Sequence, residues 1–224
     1  MTHTFGKLVG AALVAAVLTL STGPYFDPAQ AQSGHAMIAM ATSSTKAAGL
    51  RSGLNMLFQE HIYLAAAATG AALGGREAEF KAAAGALDAN SIAISKAIGS
   101  VYGQGAEDAF LPLWRKHIGM VVDYMVGVAS NDKAKQDKAV ADLIGYTQDF
   151  GAFLQSANPN LPKSVVADLV KHHVVTLKAV IDAQGSKDQA KTFATLRTAA
   201  GHMQMIADPL AEAIVKQFPD KFGG

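Results

Sequence analysis

Three short stretches of this 224-residue chain share one pattern. Residues 57–61 read Leu-Phe-Gln-Glu-His, residues 113–117 read Leu-Trp-Arg-Lys-His, and residues 169–173 read Leu-Val-Lys-His-His. A leucine and a histidine therefore each recur every 56 residues, and further apolar positions keep the same register through the whole interval without a gap. Because the spacing belongs to a whole unit and not to one motif, it predicts three copies of one structural unit.

Each copy has the pattern of two helices joined by a tight turn. Apolar residues recur at spacings of three and four, which is the period of one helix face, and turn residues such as Gly74-Gly75 and Asn131-Asp132 interrupt them. No segment shows the alternation typical of a strand. We therefore expect an all-α domain over residues 50–222, with three αα-hairpins forming a six-helix bundle or a short helical array. The predicted repeats are about 51–106, 107–162 and 163–218, with helices at roughly 51–73, 76–101, 107–129, 133–156, 163–184 and 188–216.

The first 31 residues have the features of a signal peptide. An apolar run from Leu8 to Leu20 follows Lys7, and residues 29–31 read Ala-Gln-Ala, a pattern that signal peptidase accepts. The apolar run is short for a membrane span, which needs about 20 residues. We predict cleavage after Ala31, a flexible linker over residues 32–49, and a mature protein in the periplasm or outside the cell with no stable membrane span.

Composition narrows the classes of function. The chain has no cysteine, which excludes disulfides, thiolate metal sites, thiol catalysis and covalently attached haem. Its formal net charge is +1, with acidic and basic residues interspersed, so nucleic acid is not an expected partner. No H-E-x-x-H, Glu-x-x-His, G-x-S-x-G or glycine-rich phosphate-loop motif is present. These absences leave the histidines as the chemically informative residues, and no protein partner is indicated.

The repeated histidines lie on the apolar stripe of the first helix of each hairpin. At 1.5 Å per residue, each should lie about 20 Å from the turn, level with a polar residue on the second helix. These pairs are His61 with Asn90, His117 with Tyr146, and His173 with His202. If the hairpins surround one axis, the six side chains would form a polar layer inside the bundle.

A buried histidine layer suggests a metal or a cofactor, because neutral imidazole binds copper, zinc and iron. Met120 follows His117 by about one helical turn, and a thioether beside imidazoles favours copper. Haem held without a covalent bond is a further candidate. The candidate metal-binding residues are His61, His117, His173, His202, Tyr146 and Met120.

Two other interpretations stay open at this point. The layer could be structural, with imidazoles hydrogen-bonded to carbonyls or to each other, in a structural or partner-binding module of the cell envelope. Alternatively, an open metal position could serve a metal-dependent enzyme whose reaction no motif identifies. We favour a non-enzymatic protein that binds a metal ion or small ligand, with copper as the first candidate.

The Leu57–His61 stretch, its copy Leu113–His117 and the tail at residues 213–222 carry a resemblance. That tail reads Ala-Ile-Val-Lys-Gln-Phe-Pro-Asp-Lys-Phe. Together these segments resemble an uncharacterised family of exported bacterial helical proteins with repeated L-W-x-x-H helices and a closing K-Q-F-P-x-K-F tail. The resemblance implies the same helical fold over most of residues 51–222 and implies no activity. Lys116 departs from that pattern, which has an acidic residue before the second histidine.

Overall fold

A computed structural model describes residues 45–223, which contain seven helices and no strand. The predicted signal peptide and linker residues 32–44 lie outside the described residues. The all-α fold class is confirmed for the described part of the chain. The helices are α1 Lys46–Leu73, α2 Glu77–Tyr102, α3 Gln104–Ala129, α4 Lys133–Ala157, α5 Lys163–Gly185, α6 Gln189–Gln217 and α7 Pro219–Phe222.

The largest difference from the predicted boundaries is at the start of α1. The side chain of Thr45 accepts a hydrogen bond from the Ala48 amide at 3.1 Å, which caps the helix and lets it begin at Lys46. Residues 46–49 of the predicted linker are therefore helical. Apolar periodicity misses this first turn, because Lys46 and Gly49 are exposed and carry no core-facing pattern.

The three hairpin turns have the same backbone conformation at the same 56-residue interval. Gly75, Asn131 and Lys187 have positive φ angles of 69°, 53° and 59°. A left-handed residue directly after a helix lets the following amides bond back to the last carbonyls, which ends the helix sharply. Each turn therefore reverses the chain in a few residues and places the two helices of its hairpin side by side.

The six long helices close into a bundle. Each helix packs against the next along the chain, α6 packs back against α1, and α1, α3 and α5 also contact one another. The first helices of the hairpins thus form an inner layer, with α2, α4 and α6 packed between them. Closure decides between the two predicted architectures in favour of the bundle, since an open array would leave α6 apart from α1.

Apolar and aromatic side chains fill the space between the helices. Phe110, Ile62 and Ile94 are among the most completely buried residues, and Trp114 lies in the same core. Over residues 45–223, no helix is long and apolar enough to cross a membrane.

Candidate metal centre

The inner helices bring His61, His117 and His173 together. Their ring centroids are 5.4 Å apart for His61 and His117, 5.8 Å for His61 and His173, and 6.4 Å for His117 and His173. All three side chains are at most 5% exposed. Each comes from a different hairpin, so the bundle must close before the three imidazoles can meet.

The spacing of the ring nitrogens is close to that of a metal site. Each histidine offers one ring nitrogen, and these three atoms lie within 4.8 Å of one another. The centre of a triangle with sides of 4.8 Å lies about 2.8 Å from each corner, against about 2.0–2.1 Å for a Zn–N bond. Each nitrogen would therefore move inward by less than about 1 Å, which small changes in ring torsion angles can provide.

Several ring nitrogens of this cluster have no hydrogen-bond partner among residues 45–223. They are Nδ1 of His61, Nδ1 of His117 and both nitrogens of His173. A buried polar atom left without a partner costs about 1–3 kcal/mol, so such atoms are rare in folded proteins. The orphaned nitrogens mark the cluster as a place where a ligand would supply the missing bonds.

Burial keeps the three imidazoles neutral. Burial lowers the pKa of His117 to about 4, against a smaller opposing effect of the Trp114 carbonyl. The pKa of His173 falls to about 3, through burial and then through repulsion by the neighbouring imidazoles His117 and His202. Burial also lowers the pKa of His61 well below its usual value. Neutral imidazole is the form that ligates metals, and it is available here across the physiological pH range.

Aromatic packing holds two of the imidazoles in place. Trp114 presents its ring edge-on to His61 at 5.0 Å and to His117 at 4.7 Å. The indole itself lies between Phe58 and Phe110, with near-parallel rings at 5.8 Å and 5.4 Å. Trp114, one turn before His117 on the same helix, therefore contacts both imidazoles and limits their rotamers.

His202 was predicted to join the layer, and the structure places it elsewhere. Its Nε2 lies 2.9 Å from the Leu169 carbonyl, and because a carbonyl can only accept, Nε2 donates. Its ring stacks on His172 at 4.2 Å. Asn90 behaves alike, since its Nδ2 donates to the Leu57 carbonyl at 2.9 Å. Asn90 and His202 thus each donate to a backbone carbonyl one turn before His61 and His173, respectively. The predicted layer of six polar groups therefore reduces to a central cluster of three histidines.

Tyr146 and Met120, two further candidate ligands, also lie outside the central cluster of three histidines. The ring of Tyr146 stacks on His117 at 5.3 Å and 30°, while its buried hydroxyl has no hydrogen-bond partner in the described part of the chain. Met120 is half-buried against the core and does not line the cavities that border the cluster. The structure therefore places Tyr146 beside the cluster and provides no contact that brings the thioether of Met120 to it.

Three cavities border the cluster, and one of them, of about 20 Å³, is too small to matter here. Of the remaining two, one, of about 110 Å³, is lined by His117 and His173 together with aromatic residues of α1, α3 and α4. The other, of about 230 Å³, is lined by His61 and His117 and has Asp88 in its wall. Arg115 forms a two-pronged ion pair with Asp88, with N–O distances of 2.7 and 2.8 Å. The cluster is thus buried, with a cavity next to it on the His117–His173 side and another on the His61–His117 side.

Sequence reasoning missed the role of His172. Its neighbour His173 faces the cluster, so helix geometry turns the His172 side chain about 100° away from it. The side chain is indeed exposed, yet its ring covers that of His202. A contact between residues 30 positions apart on different helices has no signal in the periodicity of either helix.

Comparison with known proteins adds no relative. No protein-family model, no curated protein sequence and no solved structure matches this chain. The resemblance to repeated L-W-x-x-H helices therefore stays a prediction, and inferences about function depend on the geometry of the cluster.

Proposed function

We propose that this chain is a non-enzymatic protein of the periplasm that binds one transition-metal ion through His61, His117 and His173. The single observation that carries the proposal is the convergence of three buried imidazole nitrogens to within 4.8 Å, each from a different hairpin. Three nitrogen ligands with a fourth position open to a water or small ligand form a known zinc arrangement. Sequestration or delivery of the ion fits a protein without a recognisable catalytic motif.

Copper is the favoured ion, followed by zinc and iron. Imidazole suits all three metals, but among divalent first-row ions copper binds a given nitrogen site most tightly. Met120 does not support copper here, because it lines none of the cavities that border the cluster. Haem is a poorer fit, because the cavities of about 110 Å³ and about 230 Å³ beside the cluster are close to the volume of about 150 Å³ that holds one benzene ring, and a macrocycle is several times larger.

Placement in the periplasm depends on the predicted signal peptide. Mass spectrometry of protein from an exporting bacterial host should find a mature chain that begins at Gln32. A cytoplasmic chain that retains residues 1–31 would contradict this part of the proposal and would leave metal binding untouched.

A metal-dependent enzyme is the second candidate, and the cavity beside His117 and His173 favours it. An open coordination position facing that cavity would give a substrate access to a bound ion. The cavity wall holds no carboxylate to serve as a general base, so the reaction class stays open.

Metal titration of chelator-treated protein tests the proposal. We expect the parent to bind one Cu²⁺ or Zn²⁺ per chain by calorimetry and elemental analysis. Loss of a residue that only supports a ligand typically weakens metal binding about 10–100-fold. We expect a larger loss of affinity from each of the three cluster variants, His61→Ala, His117→Ala and His173→Ala. His172→Ala is the matched control, because it removes an exposed imidazole next to His173 on the same helix.

The proposal is wrong if the parent binds neither copper, zinc nor iron, or if the three cluster variants bind them like the parent. A parent that binds no metal, together with cluster variants that melt at lower temperature, would support the structural interpretation of the histidines instead. If His172→Ala lost as much metal affinity as the three cluster variants, the ion would bind at the surface.

A further inference from the structure

The cavity of about 110 Å³ beside the histidine cluster has a wall rich in aromatic rings. Two ring stacks line it, Phe58 with Trp114 and Phe110, and His117 with Tyr146 and Phe150. In the second stack Tyr146 lies 5.3 Å from His117 and 5.6 Å from Phe150, with interplanar angles of 30° and 27°. Flat rings on its walls favour a flat occupant, since offset stacking and edge contacts add to the energy of burial.

The same cavity excludes charge. No Asp, Glu, Lys or Arg lines it, and its two histidines are buried. A charged organic molecule that entered would lose its hydration without gaining an oppositely charged side chain, which costs several kcal/mol. The occupant must therefore be uncharged.

Several lining residues carry a polar atom without a hydrogen-bond partner among the described residues: Trp114, His117, Tyr146 and His173. The hydroxyl of Tyr146 is buried, with the residue only 3% exposed, and no acceptor or donor for it exists among the described residues. A buried hydroxyl gains a hydrogen bond when a ligand brings an oxygen or nitrogen within reach. Of these groups, only the Tyr146 hydroxyl belongs to a residue outside the histidine cluster that can both donate and accept a hydrogen bond.

The volume sets the size of the occupant. The cavity measures about 110 Å³, and its lining reaches the surface at residues of the α4–α5 connection, where Pro162 is exposed and Asn160 is partly exposed. An apolar protein cavity of about 150 Å³ holds benzene. A single aromatic ring therefore fits if the open side accommodates one edge.

We infer that this cavity is a binding site for an uncharged, single-ring aromatic molecule with one hydrogen-bonding group, such as a phenol. The inference does not depend on a bound metal, because ring contacts and the Tyr146 hydroxyl belong to the apoprotein. If the metal site is also real, the ring would lie against His117 and His173, beside the open coordination position.

Trp114 provides the assay, since it is the only tryptophan of the chain and lies in the cavity wall. Chelator-treated full-length protein is titrated with benzene and with phenol while Trp114 is excited at its red edge, and calorimetry repeats both titrations. We expect saturable binding of one molecule per chain, with phenol tighter than benzene.

Two matched valine variants distinguish binding in the cavity from binding at the protein surface. Val165 and Val175 lie on α5 and are 50% and 54% exposed, but only Val165 is in the cavity wall. Val165→Phe should narrow the entrance and weaken both probes at least tenfold, whereas Val175→Phe should bind like the parent. Tyr146→Phe should leave benzene binding unchanged and weaken phenol about fivefold, which corresponds to one neutral hydrogen bond.

Each outcome decides the inference. Absence of saturable binding of either probe to the parent overturns it, as does equal binding by the two valine variants. Phenol binding unchanged in Tyr146→Phe overturns the assigned hydrogen bond. Because no metal is present in these titrations, their failure leaves the proposed metal site standing, and failure of the metal titrations leaves this inference standing.

Discussion

The buried histidines predict that this protein loses stability steeply between pH 7 and pH 5. Burial lowers the pKa of His117 to about 4 and that of His173 to about 3, whereas a histidine of the unfolded chain titrates near 6.5. The unfolded state therefore takes up protons first as the pH falls. Stability is complete above pH 6.5 and declines below it, down to the pKa of each residue in the folded state.

The size of the loss follows from the two shifts. One pKa unit corresponds to about 1.4 kcal/mol, and integration from pH 7 to pH 5 gives about 2 kcal/mol for each of the two residues. Neither value needs a reduction for solvent screening, because both side chains are 5% exposed. A total of about 4 kcal/mol is large against the 5–15 kcal/mol that stabilises an ordinary domain.

Urea unfolding of chelator-treated protein at pH 7 and pH 5 measures this difference. His117→Gln removes one titrating group, so the free energy of unfolding should change by about 2 kcal/mol less between the two pH values than in the parent. Thr176→Val is the control, since it alters a buried polar residue of α5 that does not titrate. The same change with pH in the parent and in His117→Gln would refute the assignment of a neutral, buried imidazole.

Three further predictions concern the metal and the helices. A metal at 100 times its dissociation constant should raise the free energy of unfolding by about 3 kcal/mol, and His173→Ala should abolish that gain in thermal melts. Gly151→Ala should lower the free energy of unfolding by about 1–3 kcal/mol, because its Cβ would lie 2.5 Å from the Lys163 carbonyl oxygen. Gly119→Ala, at a helix position with open space around it, should instead raise the free energy of unfolding by about 1 kcal/mol in urea. Asp188→Ala should lower stability by about 1 kcal/mol, since its side chain caps α6 through the Lys191 amide at 2.9 Å, and a parent-like melting temperature would contradict that role.

Local signals in the sequence were sufficient for the helices and their turns. Spacings of three and four place apolar residues on one face, and turn chemistry near Gly75, Asn131 and Lys187 ends the first helix of each hairpin. The predicted boundaries agree with the structure to within a few residues, except at the start of α1. These features depend on neighbours along the chain, which a sequence displays directly.

The histidine cluster could be predicted in part. Each of His61, His117 and His173 lies on an apolar stripe, so burial and a common level followed from helix geometry. His202 was on an equivalent stripe of a second helix, but its ring reaches the nearer Leu169 carbonyl and never enters the centre. A polar side chain on such a stripe can either bond a nearby backbone carbonyl or point into the centre of the bundle. Apolar periodicity does not show which of the two it does.

The sequence by itself determined that the chain is helical, that three similar hairpins follow one another, and which side of each first helix is buried. The tertiary structure alone decided that α6 returns to α1, that the three inner imidazoles come together without Met120, and that an aromatic cavity forms beside them. The division has a physical reason. Helix formation and turn geometry are set by interactions within a few residues, whereas the cluster and the cavity arise from side chains on different hairpins, whose separation is set only when the bundle closes.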